Sequence, residues 1–257
     1  EPYRRQRQMC IRDSLLCAAG REIYGGTQMA LYAIGDLHLS LGADKPMDVF
    51  GGPWENYVEK IRLGFSALHD DDVCVLCGDL AWGMTMEQAL PDFQFIEALP
   101  GKKILLKGNH DFWWSTAKKA YDFFEAHDMH TMDILNNNCY FYGDYAICGT
   151  RGWFYEEAKG EAHDRKIMLR EVGRLEASLK AAGDKTKLVF LHYPPKYLGY
   201  ECPEILALLD AYHVPLCCYG HIHSRGCRSA FQGMYHDTEF RLLSADYISF
   251  CPRRILP

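Results

Sequence analysis

The feature that most constrains this chain is a series of five short polar blocks, most of which directly follow an apolar run. Short apolar runs bounded by polar residues are typical of buried β-strands. Helical patterns separate the first three runs, which predicts parallel strands whose carboxyl ends share one edge of a sheet. Ligands bind at that edge in open α/β sheets, so the blocks predict a binding site there. The blocks are residues 35–38 (GDLH), 78–79 (GD), 108–111 (GNHD), His192 and residues 220–223 (GHIH).

The side chains in these blocks are of the types that bind divalent cations. Two aspartates, one asparagine and four histidines are enough to hold two neighbouring ions. The mixture of nitrogen and oxygen donors favours Mn, Fe, Zn or Ni over Mg or Ca. The candidate metal ligands are Asp36, His38, Asp79, Asn109, His192, His221 and His223.

Length and charge narrow the classes of protein. The chain has 257 residues and no linker-like composition after Met29, so we predict one domain over residues 29–257. Its formal net charge of −6 offers no broad basic surface for nucleic acid. The sequence contains no apolar run near the roughly 20 residues of a transmembrane helix, so we expect none.

Cysteine usage indicates a reducing compartment. The chain has 11 cysteines, an odd number, and several lie inside apolar strand-like runs. We therefore predict buried, reduced thiols and a cytoplasmic protein, with a disulfide framework as the less favoured alternative. Cys74 and Cys77 have the C-x-x-C spacing of redox and zinc motifs. Their place inside a predicted strand argues against that role, because redox pairs normally open a helix.

The first 28 residues differ from the remainder of the chain. They show no amphipathic period and no candidate ligand, whereas a strand pattern begins at once after Met29. We predict that residues 1–28 are a non-native extension produced by a sequencing artefact, with a disordered native extension as the alternative.

The remaining pattern predicts a mixed α/β domain. Between the helical patterns lie short aromatic runs at residues 139–142 and 145–148, which predict an antiparallel hairpin around Gly143. The pattern ends with two predicted strands at residues 240–244 and 247–251. The predicted helices cover residues 54–68, 86–99, 115–126 and 161–182.

The ordered blocks D-x-H, G-D, G-N-H-D, H and G-H-x-H resemble those of the calcineurin-like metallophosphoesterase superfamily, and most closely a bacterial group of predicted phosphohydrolases. The resemblance implies an α/β fold, a four-layer α/β/β/α sandwich of two mixed sheets. It also implies two divalent transition-metal ions and hydrolysis of a phosphate mono- or diester by in-line attack of a metal-bridging hydroxide. The implied substrate is a small phosphoester, and a nucleotide is one candidate.

The resemblance also implies a role for each site residue. Asp36, His38 and His223 would hold the first metal, and Asn109, His192 and His221 the second. Asp79 would bridge the two ions. His110 would act on the leaving group as a catalytic residue, and Asp111 would accept a hydrogen bond from its ring and orient it.

Two further side chains are candidates for substrate binding. Arg151 would contact a phosphate, and Trp114 belongs to an aromatic group near the motifs that could stack a base. The alternative for both is structural, with Arg151 in an ion pair and the tryptophans packing a helix on the sheet.

Other functions within the superfamily remain as alternatives. The third block ends in Asp111, where Ser/Thr protein phosphatases carry Glu, which weakens that reading. A non-catalytic metal-binding scaffold would be expected to have degraded ligand blocks, and these are intact. A nuclease would be expected to have a basic groove, which the charge pattern does not show.

Overall fold

The computed structural model describes residues 21–22, 29–154 and 161–257. Its strands, in chain order, are β1 Arg21–Glu22, β2 Leu31–Ile34, β3 Val73–Leu76, β4 Lys102–Leu105, β5 Met132–Ile134, β6 Tyr140–Tyr142, β7 Tyr145–Thr150, β8 Thr186–Leu191, β9 Lys196–Tyr197, β10 Tyr200–Glu201, β11 Leu216–Tyr219, β12 Gly233–Tyr235, β13 Thr238–Leu242 and β14 Arg253–Leu256.

The α-helices of the described residues lie between these strands. They are α1 Tyr57–Phe65, α2 Leu90–Glu97, α3 Ala117–Ala126, α4 Glu161–Ala181 and α5 Pro203–Ala211. Three short 3-10 segments, Met47–Phe50, Gly52–Trp54 and Ser224–Ser229, lie in loops that follow strands. No helix in the described part of the chain has the length and apolar character needed to cross a bilayer.

The strands form two large mixed sheets. The smaller sheet has the order β14-β2-β3-β4-β5, in which β14 is antiparallel to β2 and the other pairs are parallel. The larger sheet has the order β1-β6-β7-β8-β11-β13-β12 and contains the antiparallel pairs β6–β7 and β12–β13. Strands β9 and β10 form a separate two-stranded ribbon.

The two sheets pack face to face through a buried apolar cluster. Leu31 and Val75 of the smaller sheet and Ile147 and Phe190 of the larger sheet belong to this cluster, and all four are fully buried. Residues alternate between the two faces of a strand, so the opposite faces must be covered by other elements.

Helices cover the two outer faces. The outer face of the smaller sheet packs with α1, α2 and α3 in one cluster, which includes Ile61 and Phe93. The outer face of the larger sheet packs with α4 and α5, through residues such as Leu175 and Ile205. The mixed α/β domain predicted from the sequence pattern, and the four-layer α/β/β/α architecture that the family resemblance implies, are therefore confirmed.

Local predictions were accurate except near the C-terminus. The predicted helices and the hairpin around Gly143 are present with small shifts of their ends. The strand predicted at residues 247–251 is wrong, because residues 245–250 form turns and the last strand is β14. The alternation of exposed Tyr247 with buried Ile248 resembles a strand pattern, but here it arises from a turn.

The predicted extension over residues 1–28 lies outside the described residues except for Arg21–Glu22. Those two residues form β1, which pairs in parallel with β6. The cysteines of the described residues are free, and all but Cys251 are buried. Burial raises the pKa of Cys74 and Cys77, as expected for inert thiols inside a strand.

Lys103 fixes the turn through which α2 enters β4. Its side chain is fully buried, and Nζ donates to the carbonyl oxygens of Leu99 at 2.7 Å and Gly101 at 2.8 Å. Burial lowers the pKa of Lys103 to about 8, which leaves the ammonium charged at neutral pH. This buried cation satisfies carbonyls at the end of the helix.

We expect Lys103→Met to lower the free energy of unfolding by about 1–3 kcal/mol, because buried carbonyls would lose their donor. Lys102→Met at the exposed neighbouring position is the control and should change it by less than about 0.5 kcal/mol. Urea unfolding followed by circular dichroism measures both. Equal effects of the two substitutions would show that Lys103 does not stabilise this turn.

Candidate metal centre

The five polar blocks meet where the two sheets adjoin. Blocks 35–38, 78–79 and 108–111 follow β2, β3 and β4 of the smaller sheet. His192 and block 220–223 follow β8 and β11 of the larger sheet. Every candidate ligand therefore follows the carboxyl end of a strand, as the apolar runs predict.

The first group of ligands contains Asp36, His38 and His223. One donor atom of each lies within 4.8 Å of the others. His38 Nε2 and His223 Nε2 are 3.2 Å apart, and His223 Nε2 is 3.6 Å from Asp36 Oδ1. Three donors converging from two sheets on one point are arranged as a metal site requires.

The second group contains Asp79, His192 and His221, whose donor atoms also lie within 4.8 Å of one another. Asn109 joins this group, because its Oδ1 is 2.6 Å from His192 Nε2 and 3.0 Å from His221 Nδ1. The structure thus brings all seven candidate ligands together in two adjacent groups.

Asp79 lies between the two groups. Its Oδ2 is 3.7 Å from His38 Nε2 of the first group and 3.6 Å from His192 Nε2 of the second. Its Oδ1 accepts a hydrogen bond from the backbone N–H of His110 at 2.7 Å. A carboxylate in this position has an oxygen within reach of both groups.

Several ligands have a strained backbone. Asp36, His38, Asp79 and His221 have φ values of 60°, 47°, 51° and 71°, in the left-handed region that side chains other than glycine seldom adopt. Each such residue costs about 1–3 kcal/mol, and such strain clusters at functional sites. The left-handed turns redirect the chain as it leaves a strand.

Two glycines of the blocks are needed because carboxylates pack against them. A Cβ at Gly220 would lie 2.4 Å from Asp36 Oδ2, and a Cβ at Gly108 would lie 2.1 Å from Asp79 Oδ1. Neither distance is possible for a side-chain carbon. Both aspartates can therefore occupy their positions only opposite a residue without a side chain.

Two histidines are oriented through the nitrogen that faces away from the site. His192 Nδ1 contacts the carbonyl oxygen of Cys77 at 3.0 Å. His223 Nδ1 contacts Asp246 Oδ1 at 2.9 Å, and Asp246 Oδ2 accepts from the backbone N–H of Ser224 at 2.8 Å. Such partners fix the ring so that Nε2 is available to a metal.

The protonation of the site fits divalent cations. Burial lowers the pKa of His38 and His192, and lowers that of His221 to about 3, which leaves these rings neutral as metal ligands must be. Burial, with Asp111 and Asp36 nearby, raises the pKa of Asp79 well above its ordinary value. Burial also raises the pKa of Asp36, but the neighbouring His223, His192 and His38 outweigh burial and lower it. Asp79, buried beside two other carboxylates, needs a nearby cation to remain ionised.

His223 is the exception among the histidines. Burial lowers its pKa, but the carboxylates of Asp36 and Asp246 outweigh burial and raise it to about 10. A cation bound beside Asp36 would take the place of this proton. The donor set and the buried negative charge thus fit two divalent ions, which the seven ligands named above would hold.

Asp111 has a different environment from the one predicted. Its carboxylate accepts from the backbone N–H of Asp79 and Gly108, at 2.9 and 2.7 Å, and also from Leu80, Ala81 and the Trp113 indole. It thereby ties the loop after β3 to the loop after β4. The predicted hydrogen bond from the His110 ring is absent, because these donors occupy the carboxylate.

His110 is held by ring packing. Its Nδ1 is buried without a hydrogen-bond partner, and its ring centroid lies 4.4 Å from that of Trp82 and 5.7 Å from that of His38. Trp82 also stacks on His38, with centroids 5.1 Å apart. Trp82 therefore positions a ligand and His110 at once.

Arg151 and Trp114 make contacts of the kind expected for structural residues. Arg151 Nη2 is 3.4 Å from Oε1 of the buried Glu171, and its guanidinium lies 4.9 Å from the centroid of the Trp153 ring. Trp114 packs on the apolar cluster of α1–α3 and contacts Trp113 edge-on. A role for either residue in binding substrate stays a prediction.

Three parts of the site carry no signal in the sequence. Asp246 orients His223 from a turn. The buried Trp54 ring lies 5.8 Å from the rings of both His38 and His223. A cavity of about 180 Å³ beside the ligands is lined by Phe154, Tyr197, His221, Ile222, His223 and Gly226.

We expect Gly220→Ala to weaken Mn²⁺ binding by at least about tenfold, because the added carbon would displace Asp36 from the first group. Titration calorimetry with Mn²⁺ measures the affinity. Gly173→Ala is the control, since a Cβ at that helical position meets no neighbour within 4 Å. Equal affinities of the two variants would contradict this account of Gly220.

We expect Asp246→Asn to weaken Mn²⁺ binding by about 10- to 100-fold, the usual effect of removing the partner that orients a metal-ligating histidine. Asp210→Asn is a matched control, because Asp210 makes the same 2.9 Å contact with His236 at an exposed site. If both variants bind Mn²⁺ as the unchanged protein does, Asp246 does not act through His223.

Comparison with known proteins agrees with this fold. TT1561 of Thermus thermophilus is 15% identical, with a TM-score of 0.55, and the match covers 90% of this chain and 99% of that one. Phosphopantetheinyl hydrolase (PptH) from Mycobacterium tuberculosis is also 15% identical, with a TM-score of 0.55 and coverage of 91% and 98%. At this identity the likeness shows a shared fold.

No curated protein matches the chain in sequence. The family model for calcineurin-like phosphoesterases, however, matches residues 29–225, which include all five blocks and both groups of ligands. The chain therefore belongs to the calcineurin-like phosphoesterase family.

Proposed function

We propose that this protein is a dinuclear-metal-dependent phosphoesterase that hydrolyses a small phosphate mono- or diester. The observation that carries the proposal is the position of Asp79 Oδ2 between His38 of one ligand group and His192 of the other. Such a shared carboxylate sets the separation of two ions, which is about 3.5–4 Å in two-metal hydrolases.

The two ions, when bound, would neutralise the phosphoryl oxygens and lower the pKa of a water molecule. The mixed imidazole and carboxylate donors favour Mn, Fe, Zn or Ni. The chain supplies the dry, rigid surroundings, since Asp36, Asp79 and His192 are buried. Rigid ligands keep the substrate phosphate in one orientation, which favours in-line attack.

We propose that His110 acts on the leaving group. Its ring packs beside the ligand His38, is only partly buried, and makes no hydrogen bond through Nδ1 that would direct it away from the site. A histidine so placed can donate a proton or hydrogen bond to the departing oxygen. Asp111, in this proposal, acts indirectly by fixing the loop that carries Asp79.

The small cavity beside His221 and His223 supports a small substrate with a flat group. Phe154 lies on its wall with its ring centroid 6.2 Å from that of Tyr197 and 6.4 Å from that of His221. Aromatic walls of this kind stack planar rings. A nucleotide is therefore one candidate substrate, with the base against these rings.

The buried free cysteines favour a reducing compartment such as the cytoplasm.

Hydrolysis of p-nitrophenyl phosphate and bis-p-nitrophenyl phosphate with added Mn²⁺ tests this function. We expect Asp79→Ala to lose activity together with bound metal. His110→Ala should retain both ions, because its ring is not a ligand, while kcat falls by about 10²–10⁴-fold.

His236→Ala, at an exposed imidazole outside the five blocks, is the control for loss of a histidine. Metal content measured by atomic absorption separates loss of ions from loss of chemistry. A protein that binds two ions and hydrolyses neither ester, or a His110→Ala variant with unchanged kcat, would count against the assignment.

A further inference from the structure

A second, larger cavity adjoins the metal centre on the side of His223. Its volume is about 690 Å³, within the range of sites for small ligands. Two residues that line it, Ser224 and Asp246, contact each other, and Asp246 also contacts the ring of His223. A third lining residue, Pro53, directly precedes Trp54, whose ring packs near that of His223. The lining of the cavity also includes Arg225, Arg228, Gln232 and Tyr247.

The charge of this cavity is positive although the protein is acidic. Its charged lining residues are Arg225, Arg228 and Asp246. Both oxygens of Asp246 are already occupied, by His223 Nδ1 and the Ser224 N–H. Within the described residues, no ion pair or hydrogen bond engages either arginine side chain. The two guanidinium groups are thus available to an anion.

The local backbone presents both arginines to the cavity. Ser224 has a φ of 55°, in the left-handed region, and it begins the 3-10 segment Ser224–Ser229 that carries them. Strain in a residue other than glycine, directly after a metal ligand, is typical of a functional loop. On the far wall, Gln232 Nε2 donates to the Tyr247 hydroxyl at 2.9 Å, which fixes an exposed ring beside the arginines.

We propose that this cavity binds a second anionic group of the substrate, a phosphate or a carboxylate, through Arg225 and Arg228. The substrate is then a phosphoester that carries another anion on its alcohol portion. The inference rests on the proposed function, since it assumes that the ester to be cleaved lies at the metal ligands. Guanidinium groups suit this role because they bind carboxylate and phosphate with paired hydrogen bonds.

The test compares matched substrates with the full-length, Mn²⁺-loaded protein. The bisphosphates of propanediol, butanediol, pentanediol and hexanediol carry a second phosphate at increasing reach, and the corresponding ω-carboxyalkyl phosphates carry a carboxylate. The ω-hydroxyalkyl phosphates of the same lengths lack a second anion. The quantity measured is the ratio of kcat/KM for each dianionic substrate to that for its hydroxyl counterpart.

In the unchanged protein, we expect this ratio to exceed about ten at one or more chain lengths. In the double variant that carries both Arg225→Gln and Arg228→Gln, the ratio should fall at least about tenfold, because charge-assisted hydrogen bonds to the second anion are lost. Arg253→Gln, at an exposed position on β14, is the control and should keep the ratio. The anion with the larger ratio identifies the group that is bound. An equal ratio in the double variant and the unchanged protein would overturn the inference.

Failure of the proposed function gives a different result. In that case the unchanged protein hydrolyses none of these compounds, nor p-nitrophenyl phosphate. Titration calorimetry with the bisphosphates then decides the inference by binding alone. Binding that weakens at least about tenfold in the double variant supports an anion site at these arginines. Absent or equal binding overturns it.

Discussion

The structure of this site depends on three aspartate carboxylates buried in neighbouring loops. Asp111 is satisfied by the protein itself, through backbone N–H groups of two loops and one indole. The ion-pair partners described for Asp36 and Asp79 are all imidazoles. Asp36 also accepts the backbone N–H of His221, and Asp79 accepts that of His110. These two carboxylates differ from Asp111 in facing imidazoles, and in the proposed function bound cations would offset their buried charge.

In the proposed function, this difference in partners gives the same residue type two roles in one site. Asp111 positions the Asp79 backbone, and Asp79 in turn contacts ligands from both sheets. The glycines opposite the carboxylates and the left-handed turns of the ligands are consequences of this close approach. Their strain persists because two packed sheets and their helices determine where each loop begins and ends. Fold stability and site geometry are therefore linked through these loops.

Local patterns predicted the strands and the polar blocks that follow them, and the family resemblance implied the four layers. The structure places the seven candidate ligands in two adjacent groups, while their role as metal ligands stays a prediction. An apolar run that ends in Gly-Asp indicates a strand, and it places the polar side chain at the carboxyl end of that strand to within a few residues. The role of Asp246 was not predictable in this way, since its partner His223 lies 23 residues earlier in the chain. A lone carboxylate in a turn has no sequence signal of its own.

The errors have the same physical origin. The hydrogen bond predicted between His110 and Asp111 is absent because donors from another loop, which converges only in the folded chain, occupy that carboxylate. The strand predicted at residues 247–251 is wrong because Phe250 lies in a turn. Tertiary packing buries its ring against Trp54, with ring centroids 5.3 Å apart. Alternating burial does not distinguish such a turn from a strand edge.

In the proposed function, the segment Ser224–Ser229 links the metal centre to substrate recognition. It begins directly after the candidate ligand His223. Gly226 lines the 180 Å³ cavity that contains Phe154, whereas Arg225 and Arg228 line the 690 Å³ cavity. Asp246 holds both His223 and the first residue of this segment. A shift of Ser224 would therefore disturb Asp246, which contacts the candidate ligand His223, as well as the position of the arginines. If Arg225 and Arg228 bind the substrate as proposed, substrate recognition and metal geometry are linked through Asp246.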